Sequence, residues 1–68
     1  MLGFLINEQE QREIAYVLKR EMEEILLDLG DERIDRNVKE VMKERYKVLF
    51  QLFKRVSNER EWLRYMLK

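Results

Sequence analysis

The side chains of this sequence that could take part in chemistry are nearly all carboxylates, guanidinium groups and ammonium groups. The 68-residue chain has no histidine and no cysteine, which excludes Ser-His-Asp and Cys-His triads and zinc sites made of those ligands. Its only serine is Ser57, and there is no glycine-rich phosphate loop. Four glutamates could gather around a divalent cation: Glu21, Glu24, Glu40 and Glu44. Ion pairs on a solvated helix explain Glu40 and Glu44 better, so we predict a non-enzymatic protein without metal or cofactor.

Basic residues form the second set, and they concentrate in the middle of the chain. The net charge is zero overall, but residues 7–32 carry −6 and residues 33–55 carry +5. The basic residues of the second segment are Arg33, Arg36, Lys39, Lys43, Arg45, Lys47, Lys54 and Arg55. A basic helix can bind phosphates, which suggests a nucleic-acid-associated regulator as the alternative function. Because the acidic segment can neutralise the basic one, nucleic acid is not the partner we predict first.

The elements that must position these charges are helices, since apolar residues recur at helical spacing and proline is absent. Helix 1 is predicted over about residues 8–29, with Asn7 and Glu10 forming a capping box. Gly30 follows its last apolar residue and is expected to end it in the left-handed region. Helix 2 is predicted over about 32–56 with Asp31 as its N-cap. So short a connection makes the two helices antiparallel.

A short third helix is predicted over about residues 59–67, after the break at Ser57 and Asn58. Its apolar face is expected to contain Trp62, Leu63 and Met66. The fold class is therefore all-α, with one domain over residues 1–68 that consists of a helical hairpin and this short C-terminal helix.

Two opposite charges interrupt the apolar stripes of the hairpin. At 100° per residue, Glu21 falls inside the stripe of helix 1 and Arg45 falls at the centre of the stripe of helix 2. An unpaired buried charge is costly, so we predict a structural ion pair between them, within one chain or across a dimer. The other interpretation is that both side chains reach solvent at the edge of a narrow bundle.

An aromatic ridge made of Tyr46, Phe50 and Phe53 widens the apolar arc of helix 2 to roughly 200°. One partner helix cannot cover so wide an arc. The predicted cover is helix 3 with Trp62, Leu63 and Met66, the segment before helix 1 with Phe4, Leu5 and Ile6, or a second copy of the chain. The ridge together with Trp62 and Phe4 forms the predicted interaction surface, with a ligand-binding or peptide-binding groove as the alternative role of the ridge.

The small size of the chain favours association. Domains this short bury only about 60% of their unfolded surface and are stabilised by disulfides, metals or oligomerisation. Without cysteine or histidine, oligomerisation is the most accessible of these, so we predict a homodimer in which two hairpins form a four-helix bundle. The predicted function is a protein–protein interaction or regulatory adaptor that binds another protein.

The expected location is the cytoplasm. The apolar start of the chain is too short for the core of a signal peptide, and no apolar run approaches the 18 residues that a membrane span needs.

Overall fold

The chain folds into an antiparallel helical hairpin with a short C-terminal helix. A computed structural model describes residue 3 and residues 5–66. It contains α1 over Glu8–Leu29, α2 over Arg36–Val56 and α3 over Glu59–Trp62, followed by a 3₁₀ turn over Leu63–Tyr65. The described residues form no strand. None of their helices combines the length and the apolar character needed to cross a membrane.

The N-terminus of α1 is fixed by the predicted capping box. The Asn7 side chain accepts a hydrogen bond from the Glu10 backbone amide at 2.8 Å, and the Glu10 carboxylate accepts one from the Asn7 amide at 3.0 Å. Both bonds satisfy amides that have no partner inside the helix.

The turn between the helices is longer than the sequence suggested. Helix 2 was predicted from residue 32 with Asp31 as its cap, but α2 begins at Arg36 and its N-cap is Asp35. Asp31 is engaged elsewhere, because its carboxylate accepts from the backbone amide and the guanidinium of Arg33. Such a local side-chain bond holds the backbone in a turn instead of a helix. Asp35 then accepts from the Asn37 amide at 2.7 Å and starts α2.

The end of α1 also differs from the expectation. Gly30 was expected in the left-handed region, but its backbone is right-handed, with φ −85° and ψ −3°. Its amide donates to the carbonyl of Leu27 at 3.1 Å, which continues the helical course by one residue. The chain leaves the helix through the Asp31 turn, so no left-handed glycine is needed.

The core lies between α1 and α2 and is small. Its buried members are Leu18, Met22 and Ile25 from α1 and Tyr46 and Phe53 from α2. The α1 residues follow the 3-and-4 spacing of one helical face. The α2 side is aromatic, and each aromatic ring removes more apolar area from water than an aliphatic side chain does.

The C-terminal segment packs on α2 through aromatic contacts. Trp62 meets Phe50 edge to face at 6.1 Å between ring centroids, and Tyr65 meets Phe53 in the same way at 5.4 Å. The hydroxyl of Tyr46 donates to the backbone carbonyl of Tyr65. Lys54 lies 4.7 Å from the centroid of Trp62, within cation–π range.

The face that α3 presents to the core differs from the predicted one. Trp62 packs as expected, but Leu63 and Met66 remain about half exposed and Tyr65 takes their place. The helix predicted to residue 67 ends at Trp62 and tightens into a 3₁₀ turn. Residues three apart align in a 3₁₀ turn, which brings Trp62 and Tyr65 onto the same side.

Replacing Gly30 with alanine tests the geometry of this helix end. We expect Gly30→Ala to stabilise the fold by about 0.4–1 kcal/mol, because alanine restricts the unfolded chain and fits a right-handed backbone. An added Cβ would meet only the Leu27 carbonyl at 3.5 Å and the Leu26 carbonyl at 3.9 Å. Chemical denaturation measures the change, and a loss of stability would contradict the right-handed conformation.

Candidate functional site

The fold leaves uncovered a row of residues on α2, all but one of them aliphatic. We call it the outer seam; its members are Val38, Val41, Arg45, Val48 and Leu52. Successive members are three and four residues apart, the spacing at which one helix packs along another. Val41 and Val48 are 70% and 63% exposed, and Val38 and Leu52 are also exposed. The seam therefore has no partner helix among the described residues.

A second row, the core seam, contacts α1 and α3 instead. Its members are Met42, Tyr46, Leu49, Phe53 and Val56. Sequence reasoning placed the aliphatic stripe against helix 1 and left the aromatic ridge for helix 3, the N-terminal segment or a second copy. Tyr46 and Phe53 lie in the core instead, whereas Trp62 packs against Phe50 as predicted. Burying Tyr46 and Phe53 removes more apolar area from water than burying valines. The same rotation of α2 moves Arg45 from the centre of the packing face to its edge.

On α1, the side that adjoins the outer seam carries Val17 and Glu21. Val17 is exposed and Glu21 is partly exposed. A groove of about 510 Å³ opens at the end of this surface far from the turn, lined by Gly3, Ile6, Ile14, Leu18, Leu52, Arg55 and Val56. We call the outer seam together with Val17 and Glu21 the hairpin face.

Glu21 and Arg45 meet at the middle of the hairpin face. Nη2 of Arg45 donates to Oε2 of Glu21 at 3.2 Å, within one chain. The pair was predicted in a buried position, but the two side chains are 39% and 61% exposed. The structure thus combines both interpretations of the sequence, because the charges pair and also reach solvent.

The ion pair between Glu21 and Arg45 uses only part of the hydrogen-bonding capacity of the guanidinium group. A guanidinium has five N–H donors, and the contact to Glu21 is the one hydrogen bond that Arg45 makes with the described side chains. Water can satisfy the other donors while the face is open. Exposed pairs of this kind add about 0–1 kcal/mol to stability, so the pair is not what holds the hairpin together.

Of the predicted interaction residues, Tyr46, Phe50 and Phe53 lie about 100–160° around α2 from the outer seam, and Trp62 packs against Phe50 from the C-terminal segment. Tyr46 and Phe53 are 1% and 2% exposed in the core, and Phe50 and Trp62 pack against that core. They therefore contact one another within one chain. Phe4 lies outside the described residues.

Tyr65 is a packing residue that sequence reasoning missed. Its hydroxyl donates to Oε1 of Glu23 on α1 at 2.8 Å, and its ring contacts Phe53 on α2. It therefore connects the C-terminal segment to both long helices. Burial, together with the hydrogen bond to Glu23, raises the pKa of Tyr65 to about 12. Its spacing of three residues from Trp62 was the available signal.

Half of the basic residues of the 33–55 segment are neutralised by nearby carboxylates. Arg33 pairs with Asp31, Lys43 with Glu40, Lys47 with Glu44 and Arg45 with Glu21. Within residues 3 and 5–66, no group of three or more acidic side chains is placed to hold a metal ion. Nucleic-acid binding stays a hypothesis that no contact on α2 favours.

Comparison with protein-family models, with curated proteins and with solved structures finds no match to this chain. Any function assigned to it therefore rests on its own residues and their geometry.

A double-mutant cycle measures what the central ion pair contributes. We expect Glu21→Gln and Arg45→Gln to show a coupling energy below about 1 kcal/mol in dilute solution, because both groups are well hydrated. Chemical denaturation of the native chain, both single variants and the double variant gives this value. A coupling of several kcal/mol would contradict the exposed geometry.

Alkaline pH should weaken the attachment of the C-terminal segment. The pKa of Tyr65 is about 12 in the folded chain and about 10 in an unfolded one, so folding favours the neutral phenol. Its contribution is complete below pH 10 and is lost as the pH rises through about 12. Trp62 fluorescence is expected to report this transition.

Tyr65→Phe is the control for this titration. It removes the hydroxyl and should reduce stability at neutral pH, while removing part of the change between pH 10 and 12. If the native chain and Tyr65→Phe respond identically to alkali, the Tyr65–Glu23 hydrogen bond does not have the role assigned to it.

Proposed function

We propose that this chain is a non-enzymatic protein–protein interaction module that dimerises through its hairpin face into a four-helix bundle. The observation that carries the proposal is the outer seam, where four exposed aliphatic residues follow the spacing of a helix-packing surface. Scattered exposed apolar residues are normal on proteins, but an aligned row of them indicates an interface.

The angle between the two seams of α2 supports a bundle of four helices. Val41, Arg45, Val48 and Leu52 each precede a core-seam residue by one position. One residue corresponds to about 100° around a helix, close to the right angle between the two neighbours of a helix at the corner of a four-helix bundle. The core seam faces α1 of the same chain, and the outer seam lies in the direction where a four-helix bundle would have its second neighbouring helix.

The size of the hairpin face is also sufficient. Helices of about 21 residues are roughly 30 Å long, and two of them side by side, each about 10 Å across, are about 20 Å wide, which gives each chain a face of about 600 Å². Two copies would then bury about 1,200 Å², the lower bound for a specific interface. The groove beside Leu52 offers space for side chains of the partner.

Charge substitution in the outer seam tests the proposal. We expect Val41→Glu and Val48→Glu to weaken self-association by at least about tenfold each, because a carboxylate would have to be buried without a partner. Sedimentation velocity over a range of micromolar concentrations measures the association.

The matched control is Leu27→Glu. Leu27 is 76% exposed and lies about 80° and 120° around α1 from Val17 and Glu21, outside the hairpin face, so its replacement should leave self-association unchanged. A native chain that stays monomeric at high micromolar concentration would refute the dimer. Equal effects of all three variants would show that the dimer does not form through the hairpin face.

A further inference from the structure

Two hairpins can stack face to face in two ways, and the charges of the helices distinguish them. With both turns at the same end, α1 of each chain lies beside α2 of the other. With the turns at opposite ends, α1 lies beside α1 and α2 beside α2. α1 carries seven acidic and three basic residues, whereas α2 carries two acidic and seven basic residues.

We propose that two copies stack with their turns at the same end, so that Glu21 and Arg45 of both chains form one alternating layer of four charges. This inference rests on the proposed dimer and specifies its polarity and its central contact. Charge complementarity between facing surfaces selects partner and orientation. The acidic α1 and the basic α2 are complementary only when α1 faces the partner's α2.

The N–H donors of Arg45 that Glu21 leaves without an acceptor argue for this layer of charges. Closing the hairpin face would remove the water that now satisfies the remaining N–H groups of Arg45, and unsatisfied buried charges are strongly destabilising. With the turns at the same end, Glu21 of the partner subunit lies at the same height as Arg45. Each guanidinium then lies between two carboxylates, and each carboxylate lies between two guanidinium groups.

Stacking with the turns at opposite ends would not give each guanidinium a second carboxylate. Full overlap of the helices would put the two-fold axis near their middle, within about one helical turn of Glu21 and Arg45. The two glutamates would then face each other across the interface, and so would the two arginines.

Exchange of the two central charges between chains tests the layer. Glu21→Arg gives a chain with two central arginines, and Arg45→Glu gives a chain with two central glutamates. Each variant alone should dimerise at least about 100-fold more weakly than the native chain, because the layer would contain four like charges. Mixing the two should restore a dimer with one chain of each kind, which native mass spectrometry identifies.

The control pair is Glu8→Arg with Arg12→Glu. Glu8 and Arg12 form an ion pair at 2.7 Å whose side chains are largely exposed and lie outside the hairpin face. These variants should dimerise as the native chain does and mix at random. Where a central variant is unfolded alone, recovery of helical circular dichroism on mixing is the readout. Central variants that dimerise normally, or a mixture that does not recover, would overturn the layer.

A distance measurement tests the polarity. The chain has no cysteine, so Glu32→Cys in the exposed turn accepts a single spin label. Turns at the same end place the two labels under about 25 Å apart, a few interhelical spacings. Turns at opposite ends place them more than about 30 Å apart, the length of the helices. Dilution with unlabelled chain must weaken the dipolar signal.

The outcomes separate this inference from the dimer itself. A short distance supports the same-end stacking. A long distance overturns it and leaves the proposed dimer in place with α2 beside α2. A monomeric native chain, without dipolar coupling at any concentration, overturns both.

Discussion

The packing of Tyr46 and Phe53 on Leu18, Met22 and Ile25 determines most of this structure. Those five side chains are the buried core of the described residues, and they fix the rotation of α2 about its own axis. Once the aromatic side of α2 faces α1, its valines must face outward. Arg45 then lies at the edge of the hairpin, where it can reach Glu21 and water together. The proposed interface is thus a consequence of how the core is filled.

The C-terminal segment depends on the same packing. Tyr46, Phe50 and Phe53 offer a ridge that extends beyond the area α1 can cover, and Trp62 and Tyr65 contact what remains. Edge-to-face contacts of this kind add about 0.5–1.5 kcal/mol each beyond the area they bury. Since the segment uses the ridge inside one chain, the exposed apolar row of α2 is the outer seam, about 100° around the helix from the core seam. The proposed interface is therefore aliphatic and not aromatic.

Local features of the sequence predicted the elements well, and the way the helices face one another less well. The Asn7–Glu10 box and the hairpin follow from side chains within a few residues of each other. The start of α2 was missed because Asp31 and Asp35 are equally good caps by residue type. Capping preferences do not predict the contact with Arg33 that occupies the Asp31 carboxylate. The rotation of α2 was missed because a helical wheel weighs valine and phenylalanine alike. Their buried areas decide which arc packs, and those depend on the partner helix.

The Glu21–Arg45 pair affects stability differently when the hairpin face is exposed to water and when a partner covers it. In one chain it is solvated and adds little stability, so a monomer depends little on it. Against a fully apolar helix it would become a desolvated pair with unmet hydrogen bonds, which is unfavourable. A charged residue at one position of an apolar seam in this way fixes register and partner at a cost in stability. Specificity of this type arises because partners without matching charges bind the hairpin face unfavourably. A partner that presents aliphatic side chains and a matching charge pair at the same height meets its requirement, and a second copy of the chain in same-end stacking presents both.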